Sequence, residues 1–335
     1  MCGIVGYLGD KEAYPILVKG LKRLEYRGYD SAGVALLNGN GIEIFKKQGK
    51  VINMESSVPA AYPKAKLGIG HTRWATHGVP NDVNSHPHYS QSKRIAIIHN
   101  GIIENYAAIK ERLIKRGYTF ESDTDTEVLV NLIEDVLINE EVDLGEAVRI
   151  ALNQVVGAYA IAVIEEGNFD QIVVAKKGSP LVIGIGENEY YIASDATPFI
   201  EYTKQAVYLD EEEVAVLSLK NGLDLRTITN ELKTPYVQEL ALELESIEKG
   251  GYDHFMLKEI NEQPKSIYDT LRGRLLVDEG TIRMGGFIEY EQKFLNADRI
   301  IIVACGTSWH AGLVAEYLIE DLARIPVEVE YASEF

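Results

Sequence analysis

Disulfide chemistry is the first thing this sequence lacks. Its 335 residues hold only two cysteines, Cys2 and Cys305. They are too few and too far apart for a disulfide framework or a zinc site, so a reducing cytosol is the expected compartment. Positive charge is scarce as well: 33 Lys and Arg stand against 51 Asp and Glu, a formal charge of −18. That balance repels nucleic-acid phosphates and anionic membrane surfaces, so neither is an expected partner. A local group of arginines or backbone N–H groups can still hold a small anion. No stretch approaches the ~20 uninterrupted apolar residues of a membrane span, and the amino terminus has neither the basic n-region nor the apolar h-region of an export signal. The expectation is a cytoplasmic protein. His86-Pro-His88 and His99 match no common zinc spacing and have no adjacent acidic partners, so no catalytic metal and no other cofactor is expected.

What is present is ordinary globular material, 46% hydrophobic and 25% charged, in a chain long enough for two domains. Ile4 to Leu8 reads as a short buried strand, and Ile16, Leu17, Leu21 and Leu24 share one face of the helix that follows. Ala32 to Leu37 and Ile42 to Lys46 flank Asn38-Gly-Asn-Gly41, a hairpin signal. Strands are expected at Leu67 to His71 and Arg94 to His99, and helices at Ile103 to Lys115, Asp125 to Ile138 and Leu144 to Leu152. From Ala158 onward five short apolar strands, at Ala158–Ile164, Gln171–Ala175, Leu181–Ile185, Tyr190–Ala193 and Glu213–Leu217, read as an antiparallel meander. The pattern as a whole is α+β: two packed sheets with helices outside.

A first domain over 2–238, a linker over 239–252 and a second domain over 253–335 follow from the change of character after Asn230 and the Gly250-Gly251 break. In the second domain a long helix from His254 to Arg272, broken near Pro264, precedes an apolar strand at Arg299 to Ala304. Cys305-Gly-Thr-Ser308, a helix from Trp309 to Leu322 and a strand at Val327 to Glu330 then open a parallel α/β domain, with hydroxyls where a helix N-terminus could hold phosphate.

Cys2 carries the sharpest chemistry. A small residue after the initiator Met normally permits its removal, which leaves a thiol and a free α-amine on one residue. With a pKa of ~7.7 to 8.0, roughly a tenth of such amines are neutral at pH 7 and able to take the thiol proton, so no histidine partner is required. His71-Thr-Arg-Trp-Ala-Thr-His-Gly78 packs an arginine, a tryptophan, two threonines and two histidines behind a strand. Arg73 there can grip a carboxylate in bidentate fashion, with Thr76 and His77 adding hydrogen bonds. Asn100-Gly101 closes an apolar strand, and the Asn amide and Gly N–H, both pointing outward, would suit an oxyanion hole. Ser122-Asp-Thr-Asp-Thr-Glu127 has capping-box spacing from Thr124 to Glu127 and leaves Asp125 available for a substrate ammonium. Gly178-Ser-Pro180 and Ala193-Ser-Asp-Ala-Thr-Pro198 read as turns without a catalytic role.

Together, Cys2-Gly-Ile-Val-Gly6, Leu24-Glu-Tyr-Arg-Gly-Tyr-Asp-Ser-Ala-Gly33, His71 to Gly78, Asn84-Ser-His-Pro-His88, His99-Asn-Gly101 and Ser122 to Glu127 resemble the glutamine:fructose-6-phosphate amidotransferases (isomerizing). Lys258-Glu-Ile-Asn-Glu-Gln-Pro264 and Ala304-Cys-Gly-Thr-Ser308 resemble the isomerase half of that family. The resemblance implies a four-layer αββα sandwich of the N-terminal nucleophile hydrolase type, followed by an incomplete α/β sugar isomerase domain. It implies that Cys2 forms a glutamyl thioester, that Asn100 and Gly101 are the oxyanion hole, and that Arg73, Thr76 and His77 clamp the α-carboxylate side of glutamine. Asp125 would pair with the α-ammonium, Trp74 would gate an ammonia channel, Arg27 would lie near the closing pocket, and Thr307 and Ser308 would bind sugar phosphate. Glutamine and fructose 6-phosphate are the implied substrates, and the complete enzyme would be a homodimer. Only the start of the family's isomerase half is present, so glutaminase activity alone is expected of this chain. Another amidotransferase on the same glutaminase fold is disfavoured by Cys305-Gly-Thr-Ser308, and a module that binds glutamine without hydrolysing it is disfavoured by the intact set of Cys2, Asn100 and Gly101.

Overall fold

The structure, a computed structural model, describes residues 2–74, 79–240, 251–271, 274–276, 280–282 and 290–335. The chain divides into two compact units, Met1–Glu248 and Lys249–Phe335.

In the first unit the strands run in chain order as β1 (Gly3–Leu8), β2 (Ser31–Asn38), β3 (Gly41–Gln48), β4 (Leu67–Arg73), β5 (His88–Tyr89), β6 (Ile95–Ile103), β7 (Gly157–Glu165), β8 (Gln171–Lys177), β9 (Val182–Gly186), β10 (Glu189–Ala193), β11 (Gln205–Tyr208), β12 (Glu213–Ser218), β13 (Gly222–Thr227), β14 (Leu232–Lys233) and β15 (Gln238–Glu239). They form one sheet in the order β15-β11-β9-β10-β1-β4-β2-β3 and a second in the order β14-β13-β12-β8-β7-β6-β5. Among the described residues five α-helices accompany them: α1 (Ala13–Leu24), α2 (Val51–Ser57), α3 (Tyr106–Lys115), α4 (Asp125–Asn139) and α5 (Leu144–Leu152).

Side-chain period 2 sorts the central strands into two faces, and in β1, β4, β6 and β7 both faces are largely apolar because both are covered. Ile4 and Leu8 of β1, Leu67 and Ile69 of β4, Ala96 and Ile98 of β6 and Ala160, Ala162 and Ile164 of β7 meet in one core between the sheets. Val5 and Tyr7 of β1 turn the other way, into a core with Leu17, Leu21 and Leu24 of α1 and Met54 of α2. Ile95 and Ile97 of β6 face Val128, Leu132 and Ile133 of α4 and Val148 of α5. Three stacked cores make four layers, helix–sheet–sheet–helix, so the αββα sandwich stands as expected. The burial that drives it is large, since each fully buried Leu or Ile contributes about 1.5–3 kcal/mol.

Several local expectations need correction. The five strands from Ala158 onward are not one meander: β7, β8 and β12 belong to the second sheet, β9 and β10 to the first. The strand over Arg94–His99 does not end at Asn100-Gly101. It continues to Ile103, with Asn100 opposite Ala160 and Gly101 opposite Tyr159 on β7, so neither residue sits in a terminal turn. The helix placed from Ile103 accordingly starts at Tyr106.

In the second unit, α6 (Phe255–Leu271) runs without a break through Pro264, contrary to the interruption expected there. Two-residue strands β16 (Leu275–Leu276) and β17 (Thr281–Ile282) and the short helix α7 (Glu291–Leu295) follow. Then β18 (Ile300–Ala304) pairs in parallel with β19 (Val327–Tyr331), joined by α8 (Gly306–Ala323). This is one strand–helix–strand step of an α/β sheet. Most of the expected linker, residues 241–250, lies outside the described residues, while Glu239 at its start belongs to β15 and pairs with Gln205.

Candidate active site

Strand alternation brings the candidate residues to one end of the space between the sheets. On β4 the inward row Leu67, Ile69 continues to His71 and Arg73. On β6 the inward row Ala96, Ile98 continues to Asn100, and on β1 the row Leu8, Ile4 ends beside Cys2. The apolar core therefore gives way to polar side chains at the strand ends.

Cys2 stands one step beyond the Gly3–Thr72 pair of β1 and β4. Its Sγ–H donates to the Trp74 carbonyl at 3.4 Å, and the Trp74 N–H donates to Sγ at 3.1 Å. Burial pushes the thiol pKa up, opposed by the Trp74 N–H, the positive amino terminus and Arg73. A thiol held neutral needs a base to release it, which suits general-base activation rather than a standing thiolate.

Asn100 is buried and faces Cys2: its Nδ2 donates to the Cys2 carbonyl at 3.1 Å. Its Oδ1 lies 2.9 Å from Nε2 of His71. Gly101 adopts φ +136°, and a Cβ there would meet the Ala158 carbonyl oxygen at 2.0 Å, so only glycine fits this point of the ladder.

Arg73 is buried, and burial lowers its pKa, while Cys2, Asp30 and Asp125 act electrostatically in the opposite sense. Asp125 is the first residue of α4, where the helix dipole favours an anion. Its Oδ2 accepts from the Ile103 N–H at 2.8 Å; among the described residues no hydrogen bond engages Oδ1. Thr124 caps α4 by accepting from the Glu127 N–H at 3.2 Å. The Glu127 carboxylate accepts from the N–H groups of Glu121 and Ser122 instead of closing the box on Thr124. Trp74 is 46% exposed and meets Tyr29 edge-on at 5.6 Å. Thr76 and His77 lie outside the described residues.

Arg27 pairs with Asp195 at 2.6 Å and donates to the Tyr26 hydroxyl at 3.2 Å. Next to it, Gly28 lies so close to the chain that an added Cβ would stand 2.7 Å from the Arg73 carbonyl carbon. The absent side chain thus brings the Arg-Gly-Tyr-Asp loop against the Arg73–Trp74 backbone. Thr307 and Ser308 belong to the second unit, exposed in the first turn of α8 behind an unclosed Cys305 cap.

Sequence reasoning gave no role to a cluster of buried histidines behind these residues. The His71 ring lies 4.3 Å from that of His86, which meets His88 edge-on at 4.8 Å. Thr126 Oγ1 lies 2.8 Å from His86 Nε2 and 3.0 Å from His99 Nδ1. Burial drives the His71 pKa down to about 3 and those of His86 and His88 well below the usual value, so these three are neutral imidazoles. Among the described residues no group of His, Cys, Asp and Glu is arranged to hold a metal.

The arrangement can deliver a thiol to a carbonyl carbon and an amide N–H to the oxygen that develops charge there, beside an arginine and an aspartate suited to a zwitterion. Comparison with known proteins points the same way. Residues 58–234 match the family described as glutamine amidotransferase domain, and residues 293–335 match the SIS domain. The chain is 56% identical over 336 residues to the glutamine–fructose-6-phosphate aminotransferase (isomerizing) of Bacteroides thetaiotaomicron, covering 100% of this chain and 55% of that protein. It is 55% identical over 339 residues to the enzyme of that name from Chlorobaculum tepidum, again covering 100% of this chain and 55% of that protein. It therefore spans about half the length of the curated relatives it matches. Among solved structures, the glutamine phosphoribosylpyrophosphate amidotransferase from B. subtilis superposes with a TM-score of 0.62 over 98% of this chain and 65% of that one, at 22% identity, a likeness of fold. With its family match spanning more than half of the residues and its fold shared with an amidotransferase, the chain belongs to the glutamine amidotransferase family.

Proposed function

We propose that the chain hydrolyses glutamine through Cys2, and that within a protein carrying a whole isomerase it supplies the ammonia that converts fructose 6-phosphate to glucosamine 6-phosphate. The observation that carries this reading is the contact of the Asn100 amide with Cys2, 3.1 Å from Nδ2 to the carbonyl, beside Arg73 and Asp125.

Once Met1 is removed, the α-amine of Cys2 takes the thiol proton and sulfur attacks the side-chain carbonyl carbon of glutamine. The oxygen of the tetrahedral adduct receives hydrogen bonds from Asn100 Nδ2 and the Gly101 N–H. The adduct collapses with breakage of the C–N bond, the ammonium on Cys2 returns its proton, and ammonia leaves. Water, deprotonated by the same amine, then attacks the thioester and releases glutamate and the thiol. Arg73 holds the α-carboxylate together with Thr76 and His77, and Asp125 Oδ1 holds the α-ammonium. Trp74, half exposed at the mouth of the site, gates the passage of ammonia, and Arg27 with Asp195 fixes the neighbouring loop. Thr307 and Ser308, at a helix N-terminus, hold the sugar phosphate. We place the protein in the cytoplasm; among the described residues no helix is long and apolar enough to cross a membrane.

The test is glutamate release from glutamine by the Met-processed chain, its mass verified, against Cys2→Ala. Loss of at least about 10³-fold with an unchanged circular dichroism spectrum is expected. A Cys2→Ala protein that still deamidates would end the proposal.

A further inference from the structure

An oxyanion donor works only if its N–H, and not its carbonyl, points at the reacting atom. The two ends of a carboxamide are nearly the same size, so packing alone does not choose between them. At Asn100 the choice is made by two neighbours on opposite sides. The Cys2 carbonyl, 3.1 Å from Nδ2, requires a donor, and His71 Nε2, 2.9 Å from Oδ1, meets an acceptor. The second Nδ2 hydrogen has no acceptor among the described residues and is left for the substrate oxygen.

We propose that His71 is a positioning residue for the reaction: carrying its hydrogen on Nε2, it anchors the Asn100 carboxamide oxygen and so presents the Asn100 amide hydrogens to Cys2 and to the oxyanion. The inference rests on the glutaminase reading above. His71 lies on β4, Asn100 on β6 of the opposite sheet, so the bond spans the sandwich at the point where its core ends. His71 is buried and its ring packs tilted against that of His86, which holds it in place. The ring stays neutral through the working pH range, so the bond depends on which nitrogen bears the hydrogen and not on charge. The His99 backbone also lies against the ring. Nδ1, however, has no partner of hydrogen-bond geometry among the described residues, whereas the Nε2 contact is short and the Cys2 carbonyl enforces the same amide orientation.

A histidine that merely fills space and one that aims a donor differ in measurable ways. His71→Phe keeps an aromatic ring to pack against His86 but removes the donor; His71→Gln keeps a donor. For H71F, kcat for glutamate release is expected to fall about 10- to 10²-fold with KM within threefold, part of the loss expected for an oxyanion donor removed outright. H71Q is expected to recover most of that loss. In an Asn100→Ala background, H71F is expected to add less than twofold, because a residue that acts through Asn100 has nothing left to act on. Long-range proton–nitrogen spectra of the unmutated chain should show His71 protonated at Nε2, a readout that needs no variant to fold.

An Nδ1–H tautomer, or a double variant slowed by the product of the two single losses, would overturn the assignment. So would H71F with unchanged kcat. If H71F does not fold, His71→Met takes its place against H71Q. The failures separate cleanly: no glutamate release by the unmutated chain sinks the glutaminase reading and this inference with it. Unchanged kcat in Asn100→Ala sinks the oxyanion role, and unchanged kcat in H71F beside a crippled N100A sinks His71 alone.

Discussion

Asn100 lies within an apolar strand and Thr307 just beyond one, and each carries a candidate functional group, yet their surroundings differ. Asn100 is buried between two sheets, with hydrogen bonds at both ends of its side chain. Thr307 is exposed on the first turn of α8, after a strand paired with a single neighbour. In the first unit the groups proposed to act are held by the packing that stabilises the fold. In the second, α8 buries only Gly312 and shows Tyr317 and Leu322 to solvent. The contrast teaches that a site is pre-organised only where its elements are covered on both faces; a strand–helix–strand step supplies the motif without the enclosure.

Three measurements would break or sharpen that comparison. The largest effect is expected from equal truncations in the two units. Leu21→Ala, at a side chain with no exposure, should cost about 2–5 kcal/mol in urea unfolding, and Leu322→Ala, 79% exposed, no more than about 0.5 kcal/mol. Equal losses would erase the distinction.

Acid should act next, and on the first unit. The folded pKa of His71 lies near 3, below the ordinary value near 6.5, so the unfolded chain binds a proton that the folded one refuses. Stability is therefore complete above pH 6.5 and is lost as pH falls from there towards 3. From pH 7 to pH 5 His71 alone should remove about 2 kcal/mol, with His86 and His88 acting in the same direction. Urea midpoints followed by far-UV circular dichroism at the two pH values measure it, and a pH-independent midpoint would contradict neutral buried imidazoles.

The smallest effect is a null one. Thr307→Ala and Ser308→Ala should leave glutamate release by this chain within twofold, because the residues lie in the other unit. A tenfold loss would show that the two candidate sites are not separate.

Much of the first unit was legible because its signals are local. The face of α1 and the hairpin around Asn38-Gly-Asn-Gly41 follow from spacing and turn chemistry, and the structure shows both. Which sheet a strand joins is not local, and β8 and β9, neighbours in sequence, separate into different sheets. Strands of two residues, such as β5, β14 and β15, are too short to display a period. Asn100-Gly101 was misplaced because the dipeptide is a strong turn signal, while Ile102 and Ile103 carry the strand on. Cys2, Arg73, Asn100 and Asp125 were each readable as chemistry from their own motifs. His71 was not, since its partner is 29 residues away on the opposite sheet and only the fold joins them.

Placing Asn100 inside β6, rather than in a loop beyond it, ties the site to the strand's alignment. Adding or removing one residue between Ile95 and Asn100 would reverse which side chains face inward. The carboxamide would then face α4, His99 would enter the space opposite Cys2, and the isoleucines would exchange cores. Changes of length here would disturb chemistry and folding together, whereas the exposed hairpin tip at Gly39 has room for extra residues. Variation in chain length should therefore accumulate around this strand and not within it.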